Sequence, residues 1–118
     1  MSFNQRVISM CERNLLPQPQ EEPLEFGYSR MRIDATNWAE FDKALSCAKR
    51  LRKSSVVRQW QCNAGGYYEG SIWVMSADEA LEYKGKMKAK MAAIDDWWNR
   101  YHEADEPTRK AMACGAIP

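Results

Sequence analysis

The chain has 118 residues, with 17 Lys+Arg against 16 Asp+Glu, one His and a formal net charge of +1. That length suits one domain, and 45% hydrophobic residues suffice for a core without metals or disulfides. The near-zero charge removes the simplest electrostatic case for a nucleic-acid or membrane protein. No apolar run approaches the ~20 residues that span a bilayer, and MSFNQRVISM lacks a signal-peptide core, so a single soluble α+β domain over 1–118, in the cytoplasm, is the expectation.

Ser2 to Gln5 has the form of a capping box. Phe3, Val7, Met10 and Cys11 recur near helical spacing, so 3–15 reads as a short amphipathic helix. Pro17, Pro19 and Pro23 end it, and 17–23 reads as a stiff, extended, Pro-rich connector. Leu24 to Ile33 reads as a strand with Phe26, Tyr28, Arg30 and Arg32 on one side and Met31 and Ile33 on the other. Asp34 or Thr36 then caps a helix over 37–53, whose stripe is Trp38, Phe41, Leu45, Ala48 and Leu51. Lys49, Arg50, Arg52 and Lys53 crowd its end, where the helix dipole favours cations. Val56–Cys62 and Tyr67–Met75, joined through Asn63 to Gly66, make a hairpin.

Ser76 to Glu79 is a second capping box, before a long helix over 77–102 striped by Tyr83, Met87, Met91, Ile94, Trp98 and Tyr101. Lysines at 84, 86, 88 and 90 alternate as an exposed strand would, but helix-forming neighbours and the stripe override that signal. Glu106-Pro107 opens a final short helix that Gly115 stops. A strand, a crossover helix and a hairpin favour a right-handed connection with the third strand between the first two. The expected fold is an α+β sandwich: a small three-stranded, antiparallel-type sheet in order 1-3-2, with two long helices on one face and short helices at both termini. The N-terminal helix is the obvious cover for the other face.

Chemistry-bearing groups do not converge. Cys11, Cys47, Cys62 and Cys114 form no C-x-x-C hook and read as small buried hydrophobes. His102, with Glu103 or Asp105 to orient it, is the one general-base candidate, and no nucleophile, phosphate-loop or zinc motif accompanies it. Asp95 and Asp96 are adjacent on a helix and point about 100° apart. No catalytic, cofactor or metal residues are expected, and the protein is expected not to be an enzyme.

Three surfaces are candidates for contact instead. With Met31, Ile33, Val57, Ile72 and Val74 turned toward the helices, the opposite sheet face carries Tyr28, Arg30, Arg32, Arg58, Trp60, Tyr67 and Trp73. Cover by the N-terminal helix, which makes these aromatics core, is the expectation for a monomer, because large apolar patches are rare on one. Left open, such a face can stack bases and hold phosphates. The strand–helix–hairpin–helix order resembles, over about half of the chain and in topology alone, an RNA-recognition motif, which implies a nucleic-acid partner. Gly66-Tyr-Tyr-Glu-Gly-Ser-Ile-Trp73 departs from that family's third-strand signature, and a helix stands where its fourth strand belongs.

The second surface is the run from Lys43 to Arg58. It holds six bases, including Lys49, Arg50, Arg52, Lys53 and Arg58, and no acid, suiting either an acidic partner or a well-solvated helix end. The third is Trp97, which the stripe through Trp98 leaves on the helix flank, either as an interface anchor or against the last helix. Together these point to a small non-enzymatic regulator or inhibitor acting on another protein. By size and composition alone it is of the type that phages and mobile elements encode against host defences. The alternative is a single-stranded nucleic-acid binder using the aromatic and arginine face. A homodimer formed through a half-covered sheet is a third possibility.

Overall fold

The computed structural model describes residues 1–116. The elements in chain order are α1 (Phe3–Arg13), β1 (Gln20–Pro23), a single 3-10 turn (Glu25–Gly27), β2 (Ser29–Ala35), α2 (Trp38–Arg50), β3 (Ser54–Ala64), β4 (Tyr67–Ser76), α3 (Ala77–Glu103) and α4 (Glu106–Ala113). They fall into two compact units, Met1–Tyr83 and Lys84–Pro118. No described helix is long and apolar enough to cross a membrane.

The first unit is built on a four-stranded antiparallel sheet in the order β1-β2-β4-β3. This corrects the expectation of three strands in order 1-3-2. The unexpected strand is β1, inside the Pro-rich connector: Gln20 pairs with Arg32 and Glu22 with Arg30. Proline is tolerated there because β1 is an edge strand and Pro23 is its last residue. The expected strand from Leu24 begins only at Ser29. Leu24 instead turns the chain, its N–H donating to the Tyr28 carbonyl at 2.7 Å, with Phe26 and Gly27 at positive φ. The run β2-α2-β3-β4 makes a βαββ unit. A helix and an edge strand precede it, as α1 and β1.

The helices sit differently from expectation too. Val7, Met10 and Cys11 of α1 share one buried cluster with Phe41, Ala44, Cys47 and Ala48 of α2, Met31, Ile33 and Ala35 of β2, and Ile72 and Val74 of β4. Both α1 and α2 therefore cover the same face of the sheet. It is α1 that stands beside α2, whereas α3 contributes no buried residue. Ile33, Ile72 and Val74 are 0% exposed, and burying each such side chain stabilises the fold by about 1.5–3 kcal/mol.

Local chemistry explains the boundaries. Ser2 caps α1 by accepting the Gln5 N–H. The cap of α2 is Asn37, which accepts the Glu40 N–H at 2.8 Å, rather than Asp34 or Thr36; Glu40 in turn accepts from the Thr36 N–H. The β3–β4 hairpin closes on Gly65 and Gly66 at φ +60° and +80°, the paired positive angles of a two-residue type I′ turn.

In the second unit, α4 is capped by Asp105, which accepts the Thr108 N–H. Arg109 returns to α3, donating to the carbonyls of Tyr101 and His102 at 3.0 and 2.8 Å.

Candidate functional site

Alternation along the strands sends a second set of side chains to the side away from α1 and α2. These are Gln20 and Glu22 of β1, Arg30, Arg32 and Asp34 of β2, Ser71 and Trp73 of β4, and Arg58 and Trp60 of β3. The expected cover by the N-terminal helix is therefore overturned: α1 lies on the other side, and this face holds a shallow, open hollow of about 490 Å³. Arg32, Asp34, Arg58, Trp60, Glu69, Ser71 and Trp73 line it.

Trp73 is its centre. The guanidinium groups of Arg58 and Arg30 lie 5.0 and 5.3 Å from the indole ring centre, on cation–π terms. Its Nε1–H donates to Glu22 at 3.0 Å. Glu22 also accepts from Arg30 at 3.2 Å and from Arg32 at 2.7 Å, so one carboxylate ties three strands together. Partial burial disfavours its charge, but the hydrogen bonds from Arg30 and Trp73, the Arg30 charge and the bond from Arg32 outweigh that and hold its pKa below the ordinary range. Asp34 accepts from Arg32 at 3.1 Å and from the Ser71 hydroxyl at 2.7 Å. Arg58 has no carboxylate partner among the described residues. Its contact is the Trp73 ring.

Counting formal charges, Arg30, Arg32 and Arg58 stand against Glu22, Asp34 and Glu69, and the face sums to zero. At one end the face is closed. Met75 is 2% exposed, and Tyr28 packs edge-on against Tyr83 with ring centres 5.8 Å apart while its hydroxyl donates to Glu82. At the other end Tyr67 and Trp60 are 61% and 41% exposed, the Tyr67 hydroxyl donating to Glu69 at 3.3 Å.

Of the residues singled out in the sequence, Arg30, Arg32, Arg58, Trp60, Tyr67 and Trp73 share this face. Tyr28 lies at its closed end. Lys49, Arg50, Arg52 and Lys53 are not on it, because α2 and the turn after it belong to the covered side. There Arg50 bonds back to the Ser46 carbonyl, Arg52 lends its own carbonyl to Arg6, and Lys53 turns the chain at φ +61°. Trp97 belongs to the second unit, stacked on Tyr101 at 5.4 Å and 11°, and is better covered than Trp98, the reverse of the expected assignment. Glu22, Asp34 and Ser71 are the residues that sequence reasoning missed. The only signal for Glu22 was its position two residues from Gln20 in a segment whose prolines argue against a strand.

The thiols divide. Cys11 and Cys47 are buried, Cys62 half-buried and Cys114 exposed. Burial, then the neighbouring Cys47 and Glu12, pushes the Cys11 pKa up to about 11, which makes it a poor nucleophile at neutral pH. Among the described residues no group of three His, Cys, Asp or Glu side chains is placed to hold a metal ion. His102 is exposed on α3, its ring 6.0 Å from that of Trp98.

No family model matches the chain, and neither the curated proteins nor the solved structures yield a match.

Proposed function

We propose that the protein is a non-enzymatic binding module that engages another protein through the open sheet face, with Arg58, Trp60 and Trp73 as anchors. The observation that carries this reading is an uncovered, charge-balanced surface of tryptophan and arginine on a rigid sheet. Trp and Arg dominate the energetics of protein interfaces, and they do so best where the surrounding polar groups are already paired. Glu22 and Asp34 pair Arg30 and Arg32 in advance, so little polar desolvation is left uncompensated on docking. The same pairing speaks against phosphate binding, which needs cations free to replace counterions. A regulator or inhibitor that occludes a larger partner is the role such a surface suits, in a reducing compartment such as the cytoplasm, where four free thiols persist.

Affinity capture from the producing cells, with wild-type protein and the Arg58→Ala and Trp60→Ala variants as baits, tests the reading. The wild type is expected to hold a stoichiometric protein partner, and each variant to weaken it about thirtyfold, the roughly 2 kcal/mol of a hot-spot residue. Labelled single-stranded DNA and RNA are expected to show no shift at low salt. Salt-sensitive oligonucleotide binding that Arg58→Ala abolishes would establish the nucleic-acid alternative instead.

A further inference from the structure

The two edges of the sheet are unlike. β1 is short, carries Glu21 and Glu22 and ends in Pro23, and such features blunt an edge against further pairing. β3 has 11 residues, SSVVRQWQCNA, with one charge, Arg58, and no proline. Among the described residues no strand pairs with its outer side. Its one protective device is the bulge between Val56 and Arg58, which confines regular geometry to the run from Arg58 to Ala64. That run is symmetric about Gln61.

We propose that the free edge of β3 pairs antiparallel with β3 of a second copy, about a two-fold axis at Gln61, joining the two sheets into one. The occupant is a second copy because the edge is self-complementary. A closed two-fold contact uses one patch twice, and centring it on Gln61 pairs every residue of the bulge-free run. Gln59 then faces Asn63 of the other copy, two amides able to bond across the seam. No charged residue meets a like charge, since Arg58 falls opposite Ala64. Trp60 falls opposite Cys62 and diagonal to the second Trp60, within reach of a large ring. Both open faces lie on the same side of the joined sheet, which presents two Arg58–Trp73 anchors in a row. The pairing stands on the backbone of the edge and is independent of what the face binds.

Sedimentation of the purified chain alone tests it, with no partner present. Wild-type protein is expected to be a dimer. Gln59→Lys with Asn63→Lys places like charges opposite one another twice and is expected to weaken the dimer about tenfold, with the far-UV circular dichroism of the monomer unchanged, since both side chains are exposed. Gln59→Lys with Asn63→Glu puts opposite charges in the same register and is expected to restore it. In wild-type protein, amide exchange of 58–64 is expected to slow with rising concentration. A wild-type chain that stays monomeric overturns the proposal. So does a dimer indifferent to the double lysine, or one that the Lys/Glu pair fails to recover.

Discussion

Glu22 shows how one side chain can order a surface. It accepts from Arg30, Arg32 and Trp73, and its own side chain is only 25% exposed, so the charge-assisted bonds act in a partly desolvated setting. Glu22→Gln keeps the shape and removes the charge, and it is expected to cost roughly 1–3 kcal/mol in urea unfolding at neutral pH. The pH dependence has a definite sign. Because the folded pKa is depressed, the unfolded chain binds more protons as pH falls. The contribution of Glu22 is therefore full above the ordinary carboxylate range and is lost as pH drops through the folded value. The gap between the stability curves of the wild type and the Glu22→Gln variant should close in that acid window. A gap that stays constant into acid would mean that packing rather than charge makes the difference.

Among the elements, two glycines make opposite demands. A Cβ at Gly70 on β4 would stand 2.9 Å from the Phe41 ring and closer still to the Tyr68 hydroxyl, on the side where α2 packs. Tyr68 can yield at its tip, but Phe41 is 5% exposed and has nowhere to go. Gly70→Ala is expected to destabilise by about 1–3 kcal/mol. At Gly85 on α3 a Cβ meets nothing within 4 Å, so Gly85→Ala is expected to strengthen the helix by about 1 kcal/mol, read as slower amide exchange along α3. The Ser2 cap and the Gly65-Gly66 hairpin were legible in the sequence because capping and turn chemistry are local. The crowding at Gly70 was not, because it depends on a helix more than twenty residues earlier in the chain. β1 escaped for a related reason. Gln20-Glu-Glu-Pro23 has neither the apolar alternation nor the composition of a strand, and what makes it one is the free edge of β2 and the guanidinium groups waiting there.

For the whole molecule, the net charge of +1 conceals a division between faces. The alternation of Arg30, Arg32, Arg58, Trp60 and Trp73 was readable, but their being open was not, since the same pattern describes the inner layer of a core had α1 crossed to their side. Nor did the sequence reveal that acids from three strands cancel those arginines. The consequence is measurable. A face binding phosphates through 6–10 contacts loses about 10³–10⁵ in affinity between 50 and 200 mM salt. A face whose Arg30 and Arg32 are already held by Glu22 and Asp34 has at most Arg58 to offer a phosphate, and its contacts with a protein are aromatic and short-ranged. Partner affinity is therefore expected to change less than about tenfold over that range, as read by calorimetry on the captured complex. Glu22→Gln should steepen the dependence by taking from Arg30 its carboxylate, while Arg32 keeps Asp34. A steep slope in the wild type would mean that the basic residues at the end of α2 and just after it, Lys49, Arg50, Arg52 and Lys53, carry the binding rather than the sheet.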